Sequence, residues 1–297
     1  MRVGILGIGA IGGLLAALLH RNGYNPICIS REKTSDLIIS SGLKLDSKIF
    51  GNYNFYPRST SFLDEDLDLL FIATKTQYLP MALKQVNPNA LRNSIIIPLL
   101  NGVGFMSLLE STFGKNVIYG TIGALEAKIE KNMIFHKSLI NCPVIKLGTS
   151  NKNLLKKVNS IIDLLNQLDI NTSYLEKERH VVWNKLIRLN TLSSFTAAYQ
   201  LPIGNLRHNP DIREEMELFT KETIEVANLD GYYATLDEIM MQIDNLPPEL
   251  CTSLQRDIAD HKQSELDFIT GGVLKLGKGK NIPMPIHSKI YDQIIKK

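Results

Sequence analysis

Residues 1–30 read MRVGILGIGAIGGLLAALLHRNGYNPICIS, and this stretch decides the fold. An apolar, β-prone run at 3–6 enters Gly7-Ile8-Gly9-Ala10-Ile11-Gly12, and a run with helical apolar spacing follows at 14–19. A strand, then GxGxxG, then a helix is the opening unit of a dinucleotide-binding fold. The glycines answer separate demands. Gly7 permits the tight turn off the strand, Gly9 lets backbone approach a pyrophosphate with no Cβ in the way, and Gly12 lets the helix pack close on the sheet. The N–H groups at the helix start, at the positive end of its dipole, then hold the phosphates. Residues Gly7 to Gly12 are therefore the expected cofactor-binding turn.

Beyond the turn, residues 26–30 predict a second strand, ending where this fold places its ribose contact, about twenty residues past the glycines. An NAD enzyme presents Asp or Glu there. This chain presents Ser30, Arg31, Glu32 and Lys33. A hydroxyl and a guanidinium suit a 2′-phosphate, which predicts NADPH over NADH, with Glu32 the one residue that speaks for NADH.

Residues 67–74, LDLLFIAT, and 94–100, SIIIPLL, are continuous apolar runs of the kind found in parallel strands buried on both faces. They end in Lys75-Thr76-Gln77 and Asn101-Gly102. Ligands of open α/β sheets bind beyond the carboxyl ends of the strands, so Gly7, Lys75 and Asn101 are expected to converge on one crevice. Short strands are predicted at 117–121, 133–136, 144–147 and 170–175, and a helix at 154–168, while 34–66 is polar and carries no motif. Near Glu176 the alternation of strand and helix stops, and the apolar periods become helical. The expected organisation is a doubly wound, Rossmann-type parallel sheet at 1–177 and an all-helical domain at 178–297, with the active site in the cleft between them. A chain of 297 residues is long enough for two cores.

Composition excludes several classes. The 33 basic and 30 acidic residues nearly balance and no basic stripe is interleaved with aromatics, which argues against nucleic acid as a partner. No apolar run has bilayer length and no basic flank precedes the first apolar segment, so a cytosolic location is expected, with no membrane attachment. Cys28, Cys142 and Cys251 are widely spaced and imply neither zinc nor a disulfide; no metal site is expected. Lys275, Lys278 and Lys280 read as a solvated loop, and His136, His180, His208 and His261 show no ligand spacing.

In the second half, Val182-Trp183-Asn184-Lys185-Leu186 places Lys185 on an amphipathic helix beside the only Trp. Thr252-Ser253-Leu254-Gln255 fits a capping box, with Ser253 in the first helical turn, where N–H groups favour a carboxylate. One long helix is expected from there through Asp257, His261 and Glu265 to a stop at Gly271-Gly272.

These residues together resemble the ketopantoate reductases (2-dehydropantoate 2-reductases). The likeness covers nearly the whole chain: GxGxxG at Gly7 to Gly12, Arg31 after the second strand, Lys75, Asn101-Gly102, Trp-x-Lys-Leu at 183–186, and Ser253 with Glu265 in SLQRDIADHKQSELD. The resemblance implies hydride transfer from C4 of NADPH to the ketone carbon of a small 2-oxo acid. It makes Lys185 the proton donor to the developing alkoxide and Glu265 the carboxylate that positions lysine and substrate. Asn101 is matched to an asparagine near the nicotinamide and the substrate, Lys75 to a lysine of the cofactor crevice, and Ser253 to a substrate-binding serine.

One departure stands out. Family members commonly carry Asn four residues after the lysine and a polar residue four further on; here those positions hold Leu189 and Ser193. Asn190 is one residue late, about 140° around the helix from Lys185, while Ser193, at about 80°, stays nearer the substrate face and is kept as a substrate contact. A substrate hydroxyl facing leucine loses a hydrogen bond. Reduction of ketopantoate to pantoate is the favoured reaction; a different 2-oxo acid, or a non-catalytic NADP(H)-binding sensor, are the alternatives. An apolar face on the second domain's helices would build a homodimer, and periodicity alone does not separate such a face from core.

Overall fold

The first strand, β1 (Val3–Leu6), is the middle of five parallel strands in a computed structural model that describes residues 1–123, 125–138 and 142–297. After it come α1 (Ala10–Arg21), β2 (Ile27–Ile29), α2 (Glu32–Ser41), β3 (Leu43–Ser47), β4 (Tyr53–Phe55), β5 (Arg58–Thr60) and β6 (Leu69–Ile72). Next are α3 (Leu79–Ala82), β7 (Ile95–Pro98), α4 (Met106–Phe113), β8 (Tyr119–Gly123), β9 (Ala127–Glu130), β10 (Met133–His136), β11 (Val144–Gly148), α5 (Leu155–Gln167) and β12 (Asn171–Tyr174). The sheet order is β5-β2-β1-β6-β7, with Ile5 paired to Cys28 on one side and to Phe71 on the other. The chain winds outward from β1 to β5, then returns to β6, so the order reverses between β1 and β6. That switch point is where a doubly wound sheet opens a crevice.

Alternation explains why these strands are apolar throughout. Val3, Ile5, Leu69, Phe71, Ile95 and Ile97 face a core shared with α1. Leu6, Leu70, Ile72 and Ile96 face a second core containing Leu79 of α3 and Leu109 and Phe113 of α4. Both faces are covered, and each buried Leu or Ile contributes about 1.5–3 kcal/mol. Helix α1 is itself buried from Gly12 to Leu19, because a smaller sheet, β4-β3-β10-β9, packs on it. The contact is close at Gly13, where a Cβ would stand 2.8 Å from the Ile134 side chain. A third sheet, β12-β11-β8, completes the first of two units, Met1–Leu100 with Phe105–Val181.

The second unit is Asn101–Gly104 with Val182–Lys297. Its helices are α6 (Glu178–Tyr199, whose first turn counts with the first unit), α7 (Ile203–Arg207), α8 (Pro210–Leu229), α9 (Leu236–Asp244), α10 (Ser253–Ala259), α11 (Thr270–Gly279) and α12 (Pro285–Ile295). The segment 101–104 follows β7 in the chain yet packs here. Val103 N–H donates to Phe268 O at 2.8 Å, and Gly102, at φ +86°, has Phe268 O 2.2 Å from where a Cβ would be.

Four local expectations are corrected. Helix α6 is not amphipathic: every residue of 190–198 is buried, because α8, α11 and α12 surround it. Its hydroxyls are satisfied across those contacts, Thr191 to Thr220 at 2.8 Å and Ser194 to Thr270 at 2.6 Å. The long helix from 253 to 271 is broken. α10 ends at Ala259, His261 adopts φ +51°, and Gly271 and Gly272 lie inside the first turn of α11. Residues 259–263 are all exposed and bring no apolar side chain to a core, so nothing holds them helical. The two glycines serve close packing instead, against the Tyr291 ring and Val103. The capping box is half made: Thr252 Oγ1 accepts from Gln255 N–H at 3.2 Å, but Gln255 Oε1 is buried without a partner among the described residues. Lys275 and Lys278 lie on the exposed side of α11 rather than in a loop, and Lys280 caps it.

Candidate active site

In the first unit, the turn after β1 is built by contacts that forbid side chains at two glycines and leave one open. A Cβ on Gly7 (φ +97°) would lie 2.5 Å from Thr74 Cγ2, and one on Gly12 would lie 2.1 Å from Gly7 O. Among the described residues nothing lies within 4 Å of the Gly9 Cβ position, so their packing does not require glycine there. Open space above a backbone turn, at the start of a helix with no acidic residue in its first turn, fits a diphosphate group. Ser30 Oγ, at the end of β2, is buried with no hydrogen-bond partner among the described residues, and neighbouring Arg31 is exposed as the N-cap of α2. Thr74 Oγ1, also buried without a partner among the described residues, precedes half-buried Lys75 after β6. Gly7 to Gly12, the Ser30-Arg31 pair and Lys75 thus all follow carboxyl ends of β1, β2 and β6. Their chemistry fits a nicotinamide dinucleotide.

In the second unit, three predicted residues far apart in sequence meet. Asn101 Oδ1 accepts from Lys185 Nζ at 2.7 Å, and Asn101 Nδ2 donates to Glu265 Oε2 at 2.9 Å. Lys185 comes from the early part of α6, Glu265 from the turn between α10 and α11, and Asn101 from the inserted segment. Glu265 is buried, and Lys185 and Asn101 are half-buried. Burial pushes the Lys185 ammonium down to about 8; the Glu265 charge opposes that shift and the Arg188 charge adds to it. An amine of that basicity, held by a carbonyl and close to a carboxylate, is able to give up a proton near neutral pH.

The other predicted contacts are placed differently. Ser193 is buried, two helical turns beyond Lys185. Ser253 opens α10 and is exposed. Asn190 is turned into the core, where its Nδ2 reaches Thr223 at 3.1 Å and His287 at 3.0 Å, so it does not take the place of an asparagine at 189. Leu189 is half-buried and packs on the second core. Sequence reasoning missed Arg188, whose only signal was its spacing of three from Lys185. It also missed the buried pair Glu222 and His287, which no local pattern joins.

The family profile described as Ketopantoate reductase PanE/ApbA matches residues 3–144, and that described as Ketopantoate reductase PanE/ApbA C terminal matches residues 178–297. The chain belongs to the ketopantoate reductase family. It is accordingly an oxidoreductase of the ketopantoate reductase type. Among curated members, the 2-dehydropantoate 2-reductase of Vibrio cholerae is 26% identical over 306 residues, covering 99% of this chain and 97% of the relative. Among solved structures, the 2-dehydropantoate 2-reductase from Geobacter metallireducens has a TM-score of 0.89 at 21% identity, covering 100% of this chain and 99% of that one. A D-mandelate dehydrogenase, solved with NADH and anilino(oxo)acetate, has a TM-score of 0.90 at 17% identity, covering 100% and 98%. At those identities the structural likeness is one of fold.

Proposed function

We propose that the protein catalyses the NADPH-dependent reduction of 2-dehydropantoate to pantoate, in the cytoplasm, as a step of pantothenate biosynthesis. The observation that carries this reading is the bridge from Lys185 through Asn101 to Glu265. NADPH, when bound, supplies a hydride from C4 of its nicotinamide to the ketone carbon. Lys185 gives a proton to the ketone oxygen, so that the ketone becomes a secondary alcohol and the lysine is left neutral. Its positive charge also stabilises the oxyanion as it develops. Asn101 holds Nζ in one place, and Glu265 holds Asn101 and raises the proton affinity of the amine. Ser253 and Ser193 contribute substrate contacts. Gly7 to Gly12 cradle the diphosphate, Lys75 adds a cation at the same strand ends, and Ser30 with Arg31 take the 2′-phosphate.

A second reading keeps the fold and the hydride chemistry with another 2-oxo acid. Leu189 favours it, since an apolar side chain occupies the position where the family resemblance expects an amide. NADPH oxidation by the purified protein, with 2-dehydropantoate beside a panel of other 2-oxo acids, separates the two. Rapid turnover of 2-dehydropantoate supports the first reading; turnover of a different panel member alone supports the second. Silence across the panel with NADPH bound removes both.

A further inference from the structure

Arg188 stands one helical turn beyond Lys185 on α6 and is half-buried. Among the described residues it makes no hydrogen bond and no ion pair. The other arginines of the second unit all have acceptors. Arg207 donates to the carbonyls of Ile243 and Leu246, Arg213 to Glu217 and Asp244, and Arg256 to the carbonyl of Cys251. A guanidinium that loses water without gaining a carboxylate is costly, and Arg is rarely buried unless paired. Helix positions three apart share a face, with Cβ atoms about 5–6 Å apart. Burial holds the Arg188 guanidinium below its usual range, and its charge is felt at Lys185.

Two basic side chains, Lys185 and Arg188, stand on one face of α6, and the Asn101 bridge brings a single acidic side chain, Glu265, to Lys185. We infer that Arg188 binds the carboxylate of a monocarboxylic 2-oxo acid through its paired N–H groups, while Lys185 serves the ketone oxygen on the adjacent carbon. This rests on the proposed 2-oxo acid reductase activity. It gives a physical reason for an arginine next to Leu189: the substrate is recognised here by its acid group rather than by a distal hydroxyl. A planar guanidinium matches a carboxylate with two parallel hydrogen bonds, which an ammonium does not.

The test compares wild type, R188M and R188K with 2-dehydropantoate and with its uncharged primary amide, under saturating NADPH. Oxamate, an unreactive analogue, is titrated calorimetrically into each protein with NADP⁺ bound. R188M is expected to raise KM for the acid about 10- to 100-fold, the range of a charged hydrogen-bonded contact, with kcat little changed. KM for the amide stays put, and R188K recovers part of the loss. The basic limb of the pH profile moves to higher pH in R188M, because a repulsive charge near Lys185 is gone while Glu265 remains. An unchanged KM for the acid with an unchanged acid-to-amide preference overturns the assignment and leaves the reductase activity standing. If wild type reduces neither 2-dehydropantoate nor any member of the 2-oxo acid panel, oxamate decides: binding weakened in R188M keeps the anion site and removes the reductase reading, and equal binding removes both.

Discussion

Asn101 presents its carbonyl to Lys185, Oδ1 accepting from Nζ at 2.7 Å. An ammonium only donates and a carboxylate only accepts, so with Glu265 taking the Nδ2 hydrogen at 2.9 Å the amide has a single orientation. The lysine is therefore positioned by a group whose own direction is set by a buried acid. Its reduced basicity follows from burial first, and the two neighbouring charges adjust it in opposite senses.

Activity is expected to need the protonated lysine. With Lys185 at about 8, kcat/KM holds below that pH and falls above it. Lys185→Ala should lower kcat by about 10²–10⁴-fold and erase the basic limb. Steady-state rates from pH 6 to pH 10 test this; a limb retained in the variant would assign it to another group.

Glu265→Gln removes the charge that favours the ammonium, so the basic limb should move below 8. Asn101→Asp adds a negative charge at the bridge, and the limb should move up. Opposite displacements in the two variants, read from the same pH series, are the outcome that supports the bridge.

Lys185 also couples pH to folding. Its folded value lies below the unfolded value of about 10.4, so between these the unfolded chain holds the extra proton. Stability from this group is therefore lower below pH 8 and rises with pH up to about 10.4. Urea midpoints at pH 7.5 and 10.5 should differ more in wild type than in Lys185→Met.

The glycines of the turn separate folding from binding. Gly12→Ala places a methyl against Gly7 O and should destabilise the first unit by about 1–3 kcal/mol or more. Gly9→Ala meets no atom of the described residues within 4 Å, so the thermal midpoint should stay near wild type while NADPH binding weakens. A calorimetric scan and a fluorescence titration of each variant check both halves. Normal NADPH affinity in Gly9→Ala would count against the cradle.

Glu222 and His287 are expected to matter for stability alone. Burial raises the Glu222 carboxyl, but donation from His287 and from the backbone N–H groups of Ile286 and His287 outweighs it and leaves it low. Burial holds His287 low as well, so it is neutral, with Nδ1–H donating to Glu222 at 2.6 Å and Nε2 accepting from Asn190 at 3.0 Å. Both folded values are depressed, so stability falls as pH drops below about 6.5, and further below about 4.3. Glu222→Gln should cost about 3 kcal/mol by denaturant titration and leave KM values alone.

The cofactor half was legible because it is local. A strand, three glycines and a helix occupy the first 21 residues, and their turn geometry depends on neighbours within that unit. The parallel strands were legible for a similar reason: burial on both faces demands apolar residues at every position. The segment from 253 to 272 was not, since helical spacing continues through a stretch that no core covers, and packing rather than propensity decides where a helix ends. By itself the sequence determined the fold class, the family and the candidate residue types. The tertiary structure alone decided that Asn101 leaves the strand it follows to join Lys185 and Glu265, that Asn190 faces His287, and that Arg188 has no carboxylate of its own among the described residues. Those are contacts between residues up to 164 positions apart, whose direction depends on how helices pack and not on any pattern within one of them.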